Sequence, residues 1–212
     1  MILIWILAFA ITITIHEAAH AWMADRLGDP SARLAGRLTL NPIAHYDPVG
    51  TTLLLVLVIM RSFGIPVIPF GWAKPVPVDP YNLSHPRRDS ALISLAGPMS
   101  NIVLATVLAA AVRIFSEITL LNFLFPVILL NVALAVFNLI PIHPLDGGKV
   151  LVGLLPKKEA RYADLFLTRY GMILLLFVIF PLFGGLSLIS LVVGPAINVI
   201  INLLLPNLPN LI

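Results

Sequence analysis

Residues 2–24 read ILIWILAFAITITIHEAAHAWMA, an apolar run that carries His16, Glu17 and His20 in its second half. The run is close to the roughly 20 residues that an α-helix needs to span a bilayer. It has neither a basic segment before it nor a small-residue cleavage site, so we predict a retained membrane helix rather than a removable signal peptide. Because each ionisable side chain inside a membrane costs about 2–3 kcal/mol or more, three of them in one span indicate a functional site.

The spacing of His16, Glu17 and His20 is typical of a metal site on one helix. Positions i and i+4 share a helix face, so both imidazoles can bind one metal ion. Glu17 lies one step around the helix, where it can serve as a general base beside the metal. The alternative is a chance accumulation of polar residues near a helix end, which their cost in lipid makes the weaker interpretation. The chain has no cysteine, so a transition metal must rely on His, Asp or Glu.

Asp146 is the candidate for a third ligand, since a catalytic zinc usually has three protein ligands and two histidines supply only two. Of the ten acidic residues, Glu17 lies within an apolar run, and Asp146 lies in the mostly apolar stretch that directly follows the run at 120–141. Pro141 and Pro144 break the helix before Asp146, and two glycines after it permit a turn. An aspartate here can instead cap a helix, but a cap more naturally stands in water, so the apolar setting favours a ligand.

The composition of the whole chain is that of a membrane protein. Of its 212 residues, 59% are apolar and 11% are charged, against roughly 25% charged in soluble domains. The apolar runs lie at about 2–24, 49–60, 90–116, 120–141, 171–183 and 186–205. We predict an all-α polytopic membrane protein with about five transmembrane helices, and a re-entrant or short helix at 49–60, where the run is too short to span. The net charge of +3 fits basic residues beside membrane helices, so we expect no nucleic-acid partner.

Two segments outside these runs predict a small β-sheet on the membrane face. Residues 33–40 alternate between leucine or glycine on one side and arginine, alanine or threonine on the other, which is the pattern of a strand. Residues 65–78 contain four prolines, which excludes a helix and suits edge strands.

The distribution of Lys and Arg predicts the orientation of the chain. If 49–60 enters and leaves on the same side, all thirteen basic residues except Arg113 lie on one face, and the positive-inside rule places that face in the cytoplasm. If 49–60 crossed the membrane, Lys74, Arg87 and Arg88 would move outside and the asymmetry would be lost. We therefore predict a re-entrant segment, with residues 16 and 146 both near the cytoplasmic face.

Three motifs along the chain match one known family. They are His16-Glu17-x-x-His20, Ala96-Gly97-Pro98-x-x-Asn101 and Asn138-x-x-Pro141-x-x-Pro144-Leu145-Asp146-Gly147. Over residues 1 to about 150 the chain resembles the site-2 protease family of intramembrane zinc metalloproteases, in a compact form without PDZ or CBS domains. The resemblance implies one Zn2+ per chain, with the ligands His16, His20 and Asp146. It also implies that Glu17 is the catalytic base and that Asn138 holds the substrate backbone or the reacting carbonyl.

The function implied by this resemblance is that of a zinc metalloendopeptidase, which hydrolyses peptide bonds within or near the transmembrane segments of its substrates in regulated intramembrane proteolysis. We expect a single membrane-embedded domain, 1–212, with a catalytic core at about 1–150 and C-terminal helices at about 165–205. The expected partners are a transmembrane protein substrate and the lipid bilayer. On family analogy the location is a prokaryotic inner membrane, with the active site toward the cytoplasm. The alternative is a membrane metal transporter or channel with His and Asp as transit ligands.

The remaining polar residues near these motifs are weaker candidates. His143 can substitute as a metal ligand, but a histidine that faces a polar cavity or bonds a carbonyl is the favoured interpretation. His45 and its neighbours at 41–50 have the composition of turns and helix caps, so we do not predict a catalytic role for them. Asn101 either bridges to a neighbouring helix or orients a zinc ligand, and the sequence leaves both open.

Overall fold

A computed structural model describes residues 2–64, 71–115, 117–180, 187 and 189–206. The helices are, in chain order, α1 (Ile2–Arg26), α2 (Ser31–Leu34), α3 (Gly50–Ser62), α4 (Pro86–Phe115), α5 (Ile118–Asn138), α6 (Asp146–Leu154), α7 (Lys157–Ile179) and α8 (Gly194–Leu204). Two short 3₁₀ turns, Pro42–His45 and Pro80–Asn82, and a π-helical stretch, Ile189–Val193, complete the regular elements of the described residues.

Within these ranges, four helices are long and apolar enough to cross a membrane, and they are α1, α4, α5 and α7. The chain is therefore a helical, polytopic membrane protein. The predicted fifth span at 186–205 corresponds to a shorter apolar stretch, Ile189–Leu204, and residues 186 and 188 lie outside the described residues. A fifth span therefore stays a prediction.

The apolar run at 49–60 forms α3, which is only 13 residues long. Such a helix rises about 20 Å, less than the roughly 30 Å of hydrocarbon that a span must cross. The chain later returns to the beginning of α3, where the hydroxyl of Thr51 donates to the carbonyl of Trp72 at 3.2 Å. A Cβ at Gly50 would lie 2.5 Å from the Trp72 ring, so the two segments are in close contact. The predicted short helix is therefore present, and its re-entrant path stays a prediction.

α4 lies at the centre of the bundle, where it packs against α1, α5 and α6. Its buried residues toward α5 include Ala105 and Ala109, which pack with Ile128 and Val132. Small residues let membrane helices approach closely and gain van der Waals contact. As a result, α1 and the beginning of α6 both pack against α4 and lie close to each other.

The strand predicted at 33–40 is wrong. Residues 31–34 form α2, and Gly36 follows in a left-handed conformation with a φ of 69°. The side chain of Arg37 is buried and donates to the carbonyls of Ala44 and Lys74, whereas Leu34 is 80% exposed. The alternating residues therefore do not form a strand. Arg37 is instead buried in a folded loop, where its guanidinium donates to backbone carbonyls.

The predicted membrane-face sheet is absent from the described part of the chain. Residues 71–79 have no helical or strand pairing, and residues 65–70 of the predicted edge strand lie outside the described residues. Proline at positions 75 and 77 removes two backbone donors from this segment, which disfavours a regular ladder.

Asp29, in the loop after α1, fixes this extended segment to the end of α1. Its buried carboxylate accepts hydrogen bonds from the backbone N–H and hydroxyl of Ser31 at 3.0 and 2.6 Å. It also accepts from the backbone N–H of Asp79 at 2.7 Å and from Nδ2 of Asn82 at 2.9 Å. Burial by itself raises the pKa of Asp29, but hydrogen bonds from Ser31, Asn82 and Asp79 outweigh it and hold the pKa below its ordinary value.

Candidate metal centre

Three side chains from two distant parts of the sequence converge at one point. Nε2 of His16 lies 3.2 Å from Oδ2 of Asp146, and Nε2 of His20 lies 3.3 Å from the same oxygen. The two Nε2 atoms are 3.1 Å apart. Both imidazoles are buried, and among the described residues these three side chains are the group whose ligand atoms all lie within 4.8 Å of one another.

These separations fit a tetrahedral metal ion. Ligand atoms bound at about 2.0–2.1 Å to the centre of a tetrahedron lie roughly 3.3 Å apart, close to the spacing of the three donors here. Two imidazole nitrogens and one carboxylate oxygen are a donor set that zinc accepts, and three protein ligands leave a fourth position open. The residues present therefore fit a catalytic rather than a closed structural zinc site.

The outer nitrogen of each imidazole is held by an oxygen acceptor. Nδ1 of His16 lies 2.6 Å from Oδ1 of Asn101, and Nδ1 of His20 lies 2.7 Å from the backbone carbonyl of Ile93. A carbonyl oxygen accepts, so each Nδ1 carries the proton and each Nε2 keeps its lone pair for a metal. Both acceptors belong to α4, which therefore orients the two rings of α1.

Glycines at the contacts between helices make room for this arrangement. A Cβ at Gly97 of α4 would lie 2.6 Å from Cε1 of His20 and 2.7 Å from Cε1 of His16. A Cβ at Gly147, next to Asp146, would lie 2.5 Å from the carbonyl carbon of Leu139. Because glycine carries no Cβ, α4 can pass directly beside the imidazoles and α6 can begin against the end of α5.

A buried polar chain extends from His16 into the bundle. Nδ2 of Asn101 donates to the backbone carbonyl of Thr12 at 3.1 Å and to Oδ1 of Asn131 at 2.6 Å. Nδ2 of Asn131 donates to the hydroxyl of Thr12 and to the carbonyl of Val127, both at 2.8 Å. Asn101 therefore does both things that the sequence left open, since it bridges helices and contacts a candidate ligand.

Thr12 and Asn131 were not predicted from the sequence. Asn131 offered a signal, because an amide inside the apolar run 120–141 must find a partner on another helix. Thr12 offered none, since threonine is common in membrane helices and can bond within its own helix.

Glu17 and Asn138 lie on the elements that carry the site. Glu17 is half-buried on α1, next to His16. Asn138 is the last residue of α5 and is also half-buried; its Nδ2 donates to the carbonyl of Leu134 at 3.1 Å. The roles predicted for both side chains stay predictions.

The weaker candidates lie outside the three-ligand group. Nε2 of His143 lies 3.1 Å from Oδ1 of Asp164 on α7, so this ring pairs with a carboxylate rather than a carbonyl. His45 is buried and its Nε2 lies 3.0 Å from the carbonyl of Thr39. The side chains of Asn41 and Asp47 cap the helical turns that follow them, which confirms their predicted capping chemistry.

Comparison with known proteins decides the family. The model of Peptidase family M50 matches residues 114–178. The putative zinc metalloprotease YwhC of Bacillus subtilis is 38% identical over an alignment of 161 residues, and the match covers 71% of this chain and 68% of that protein. The chain belongs to peptidase family M50. This is the site-2 protease family, so the predicted resemblance is confirmed.

Further M50 relatives are longer than the part they share with this chain. The putative zinc metalloprotease Rip2 of Mycolicibacterium smegmatis is 34% identical over an alignment of 154 residues, and the match covers 67% of this chain and 53% of that protein. Stage IV sporulation protein FB of Bacillus subtilis is 29% identical over 148 residues, 69% of this chain and 49% of that protein. The chain thus spans about half the length of these two relatives. No solved structure matches it significantly.

Membership of family M50 indicates a peptidase activity and a bound zinc ion. As a member of family M50 with relatives named zinc metalloproteases, the chain is a zinc metalloprotease, and Zn2+ is its metal. Its four long apolar helices make it an integral membrane protein. The group of His16, His20 and Asp146 can bind that ion.

Proposed function

We propose that this metalloprotease cleaves peptide bonds within or near the transmembrane segments of substrate membrane proteins, in regulated intramembrane proteolysis. The observation that carries the proposal is the convergence of His16, His20 and Asp146 between α1 and the beginning of α6. α1 is an apolar helix long enough to span a membrane, so an enzyme with this centre reaches peptide bonds that soluble proteases do not.

In this proposal His16, His20 and Asp146 are the zinc ligands and Glu17 is the general base. Zinc, when bound there, supplies a Lewis acid that polarises a peptide carbonyl and lowers the pKa of water to about 7. Glu17 takes the proton from the attacking water and returns it to the leaving amine. Its place beside His16 on the same helix supports this role.

Asn138 is proposed to hold the substrate backbone or the reacting carbonyl. Only one hydrogen of its Nδ2 is used, for the carbonyl of Leu134. Within the described residues the second N–H and Oδ1 have no partner, so the amide can both donate to a substrate carbonyl and accept from a substrate N–H.

The extended segment 71–78 is proposed to bind the unwound substrate as an added strand. A substrate helix hides its carbonyls in its own hydrogen bonds, so cleavage requires local unwinding. Lys74 is fixed, because its N–H donates to the carbonyl of His45 at 3.0 Å and its carbonyl accepts from Arg37. Beyond it, the N–H and C=O of Val76 have no partner within the described residues, and an open edge of this kind pairs with extended peptides.

The proposed location is a prokaryotic inner membrane, with the site near the cytoplasmic face. The strongly one-sided distribution of Lys and Arg supports this orientation. The polar turn at 143–149 carries Asp146 and lies near the same face, so it offers the shortest route for water to the metal. We further propose that residues 1–212 work as one membrane domain, with the catalytic core at about 1–150.

The test is cleavage of single-span membrane substrates by the purified chain and by Glu17→Gln. The variant should keep one zinc per chain and lose at least about 100-fold in rate, since general base catalysis contributes about 10²–10⁴. Glu159→Gln, at an exposed position on α7, is the matched control and should cleave normally. A Glu17→Gln protein that cleaves at the normal rate would remove the proposed mechanism.

The same assay tests the substrate edge and the rival function. Replacing residues 72–78 with a flexible linker should slow cleavage while zinc stays bound, and an unchanged rate would remove the strand proposal. A transporter with His and Asp as transit ligands needs no base, so Glu17→Gln would not affect it. Family M50 membership favours the protease.

A further inference from the structure

A chain of hydrogen bonds links His16 through Asn101 and Asn131 to the backbone carbonyl of Val127. This carbonyl determines which atom of each amide donates and which accepts. Asn131 faces the backbone carbonyl of Val127 at 2.8 Å. A backbone carbonyl only accepts, so the Asn131 atom on that side must be the amide nitrogen. The same nitrogen also donates to the hydroxyl of Thr12, and the Oδ1 of Asn131 must then point toward Asn101.

The orientation of the Asn131 amide determines that of the Asn101 amide. Oδ1 of Asn131 accepts, so the Asn101 atom 2.6 Å from it must be Nδ2. A second backbone carbonyl, that of Thr12, accepts from the same nitrogen at 3.1 Å and requires the same orientation. Oδ1 of Asn101 is thereby turned toward Nδ1 of His16 at 2.6 Å. The only neutral form of His16 that fits carries its proton on Nδ1 and leaves Nε2 free.

We propose that Thr12 and Asn131 are positioning residues, which orient the amide of Asn101 and so hold His16 in the form whose Nε2 can bind zinc. Neither touches the metal-binding atoms, and both act through Asn101. All three side chains are at most 1% exposed, so water does not compete for these hydrogen bonds. The inference rests on the proposed role of His16 as a zinc ligand.

His20 provides an internal comparison. Its Nδ1 is held by the backbone carbonyl of Ile93, which cannot rotate and which no side-chain substitution removes. Loss of Asn131 leaves the Thr12 carbonyl as the one remaining acceptor for Nδ2 of Asn101 among the described residues, so His16 should be held less firmly, whereas His20 keeps its backbone acceptor. A general disturbance of the site would affect both rings, because they lie side by side with centroids 4.6 Å apart.

The experiment records the protonated nitrogen of each ring by ¹⁵N NMR on the full chain in detergent, labelled at histidine, at alkaline pH and before zinc is added. The unsubstituted chain should show both rings protonated at Nδ1. In Asn131→Leu, which removes one acceptor from Asn101, His16 should populate the form protonated at Nε2 while His20 does not. Zinc affinity, measured by chelator competition, should fall about two- to tenfold, the effect expected from one buried hydrogen bond.

Threonine variants give a second, milder test if Asn131→Leu fails to fold. Thr12→Val removes the hydroxyl that accepts from Asn131 and should shift His16 in the same direction, whereas Thr12→Ser should restore the normal spectrum. Thr14→Val is the matched control, because Thr14 is buried on the same helix and its hydroxyl has no partner within the described residues. This variant should leave both rings unchanged.

Two results would overturn the proposal. One is a His16 ring that stays protonated at Nδ1 alone in both Asn131→Leu and Thr12→Val. The other is an equal shift of His16 and His20, which would indicate a general loosening of the helices. The NMR measurement involves neither zinc nor a substrate, so its failure is distinguishable from a failure of the proposed protease function.

Discussion

The absence of a Cβ at Gly97 allows α4 to pack directly against the imidazoles of His16 and His20. The ideal Cβ of Gly97 would lie 2.6 Å from His20 and 2.7 Å from His16, well inside the contact distance of two carbon atoms. The backbone of α4 cannot retreat easily, because Asn101, one turn later, is bonded to α1 and α5.

Gly97→Ala should therefore displace the two rings and weaken zinc binding at least about tenfold, the lower end of what disturbed ligand orientation costs. Zinc content after dialysis against a chelator measures the effect. Gly194→Ala is the control, since a Cβ there meets only a carbonyl oxygen at 3.8 Å. Full zinc content in Gly97→Ala would show that the rings are not confined by α4.

Single residues also show what the sequence can and cannot predict about the site. His16, His20 and Asp146 were predictable as a group, because ionisable groups in apolar surroundings are costly and the two histidines are four residues apart on one helix. Thr12 and Asn131 were not, because they are neutral and acquire a partner only where α1, α4 and α5 meet. The crowding at Gly97 likewise depends on how two helices cross, although the motif around it was recognised.

Among the elements, the loops after α1 depart most from the sequence-based prediction. The long helices follow from runs of apolar residues near the length of a membrane span. The structure of 33–40 does not follow from its sequence. Its alternating pattern predicts a strand, but Arg37 is buried and donates to the carbonyls of Ala44 and Lys74. Side chains that satisfy distant backbone groups leave no periodic signal in the sequence.

Asp29 makes the attachment of the segment 79–82 to α1 dependent on pH. Its pKa is lowered in the folded protein, so its contribution to the free energy of unfolding is complete above its ordinary pKa of about 3.9. The contribution is lost as the pH falls from there through the lower pKa of the folded state. Asp29→Ala should lower the free energy of unfolding at neutral pH by about 2–3 kcal/mol, because buried donors lose a charged acceptor.

Unfolding of the detergent-solubilised chain at neutral and acidic pH tests this attachment. The difference between the unsubstituted chain and Asp29→Ala should shrink at acidic pH. Asp25→Ala is the control, since Asp25 pairs with a mostly exposed Arg33 at 3.0 Å and such surface pairs contribute about 0–1 kcal/mol. A difference that does not change with pH would contradict the role given to the Asp29 carboxylate.

For the whole molecule, hydrogen bonds join segments at the ends of helices that are distant in sequence. Arg87, at the beginning of α4, donates to the carbonyl of Leu155 at 2.8 Å, which joins the beginning of α4 to the segment between α6 and α7. The attachment of Asp79 and Asn82 to Asp29 places 79–82 beside the end of α1. The end of α1, the beginning of α4 and the segment before α7 are therefore joined through these contacts, and Arg113 lies near the far end of α4.

The absence of native cysteine makes the proposed orientation directly measurable. Glu117→Cys, between α4 and α5, should react with a membrane-impermeant maleimide added to intact spheroplasts. Lys158→Cys, at the beginning of α7, should react only after the membrane is opened. Both positions are exposed, so reactivity reports the side of the membrane rather than burial. The opposite pattern would place the metal centre near the outer face.

The most direct test of the account is zinc X-ray absorption on the unsubstituted chain and on Asp146→Ala. The unsubstituted chain should show one zinc bound by two imidazole nitrogens and a carboxylate oxygen at about 2.0–2.2 Å. Asp146→Ala should lose the carboxylate oxygen and keep the two imidazoles. A zinc ion with the same ligands in both proteins would contradict the convergence of α1 and α6 on one metal.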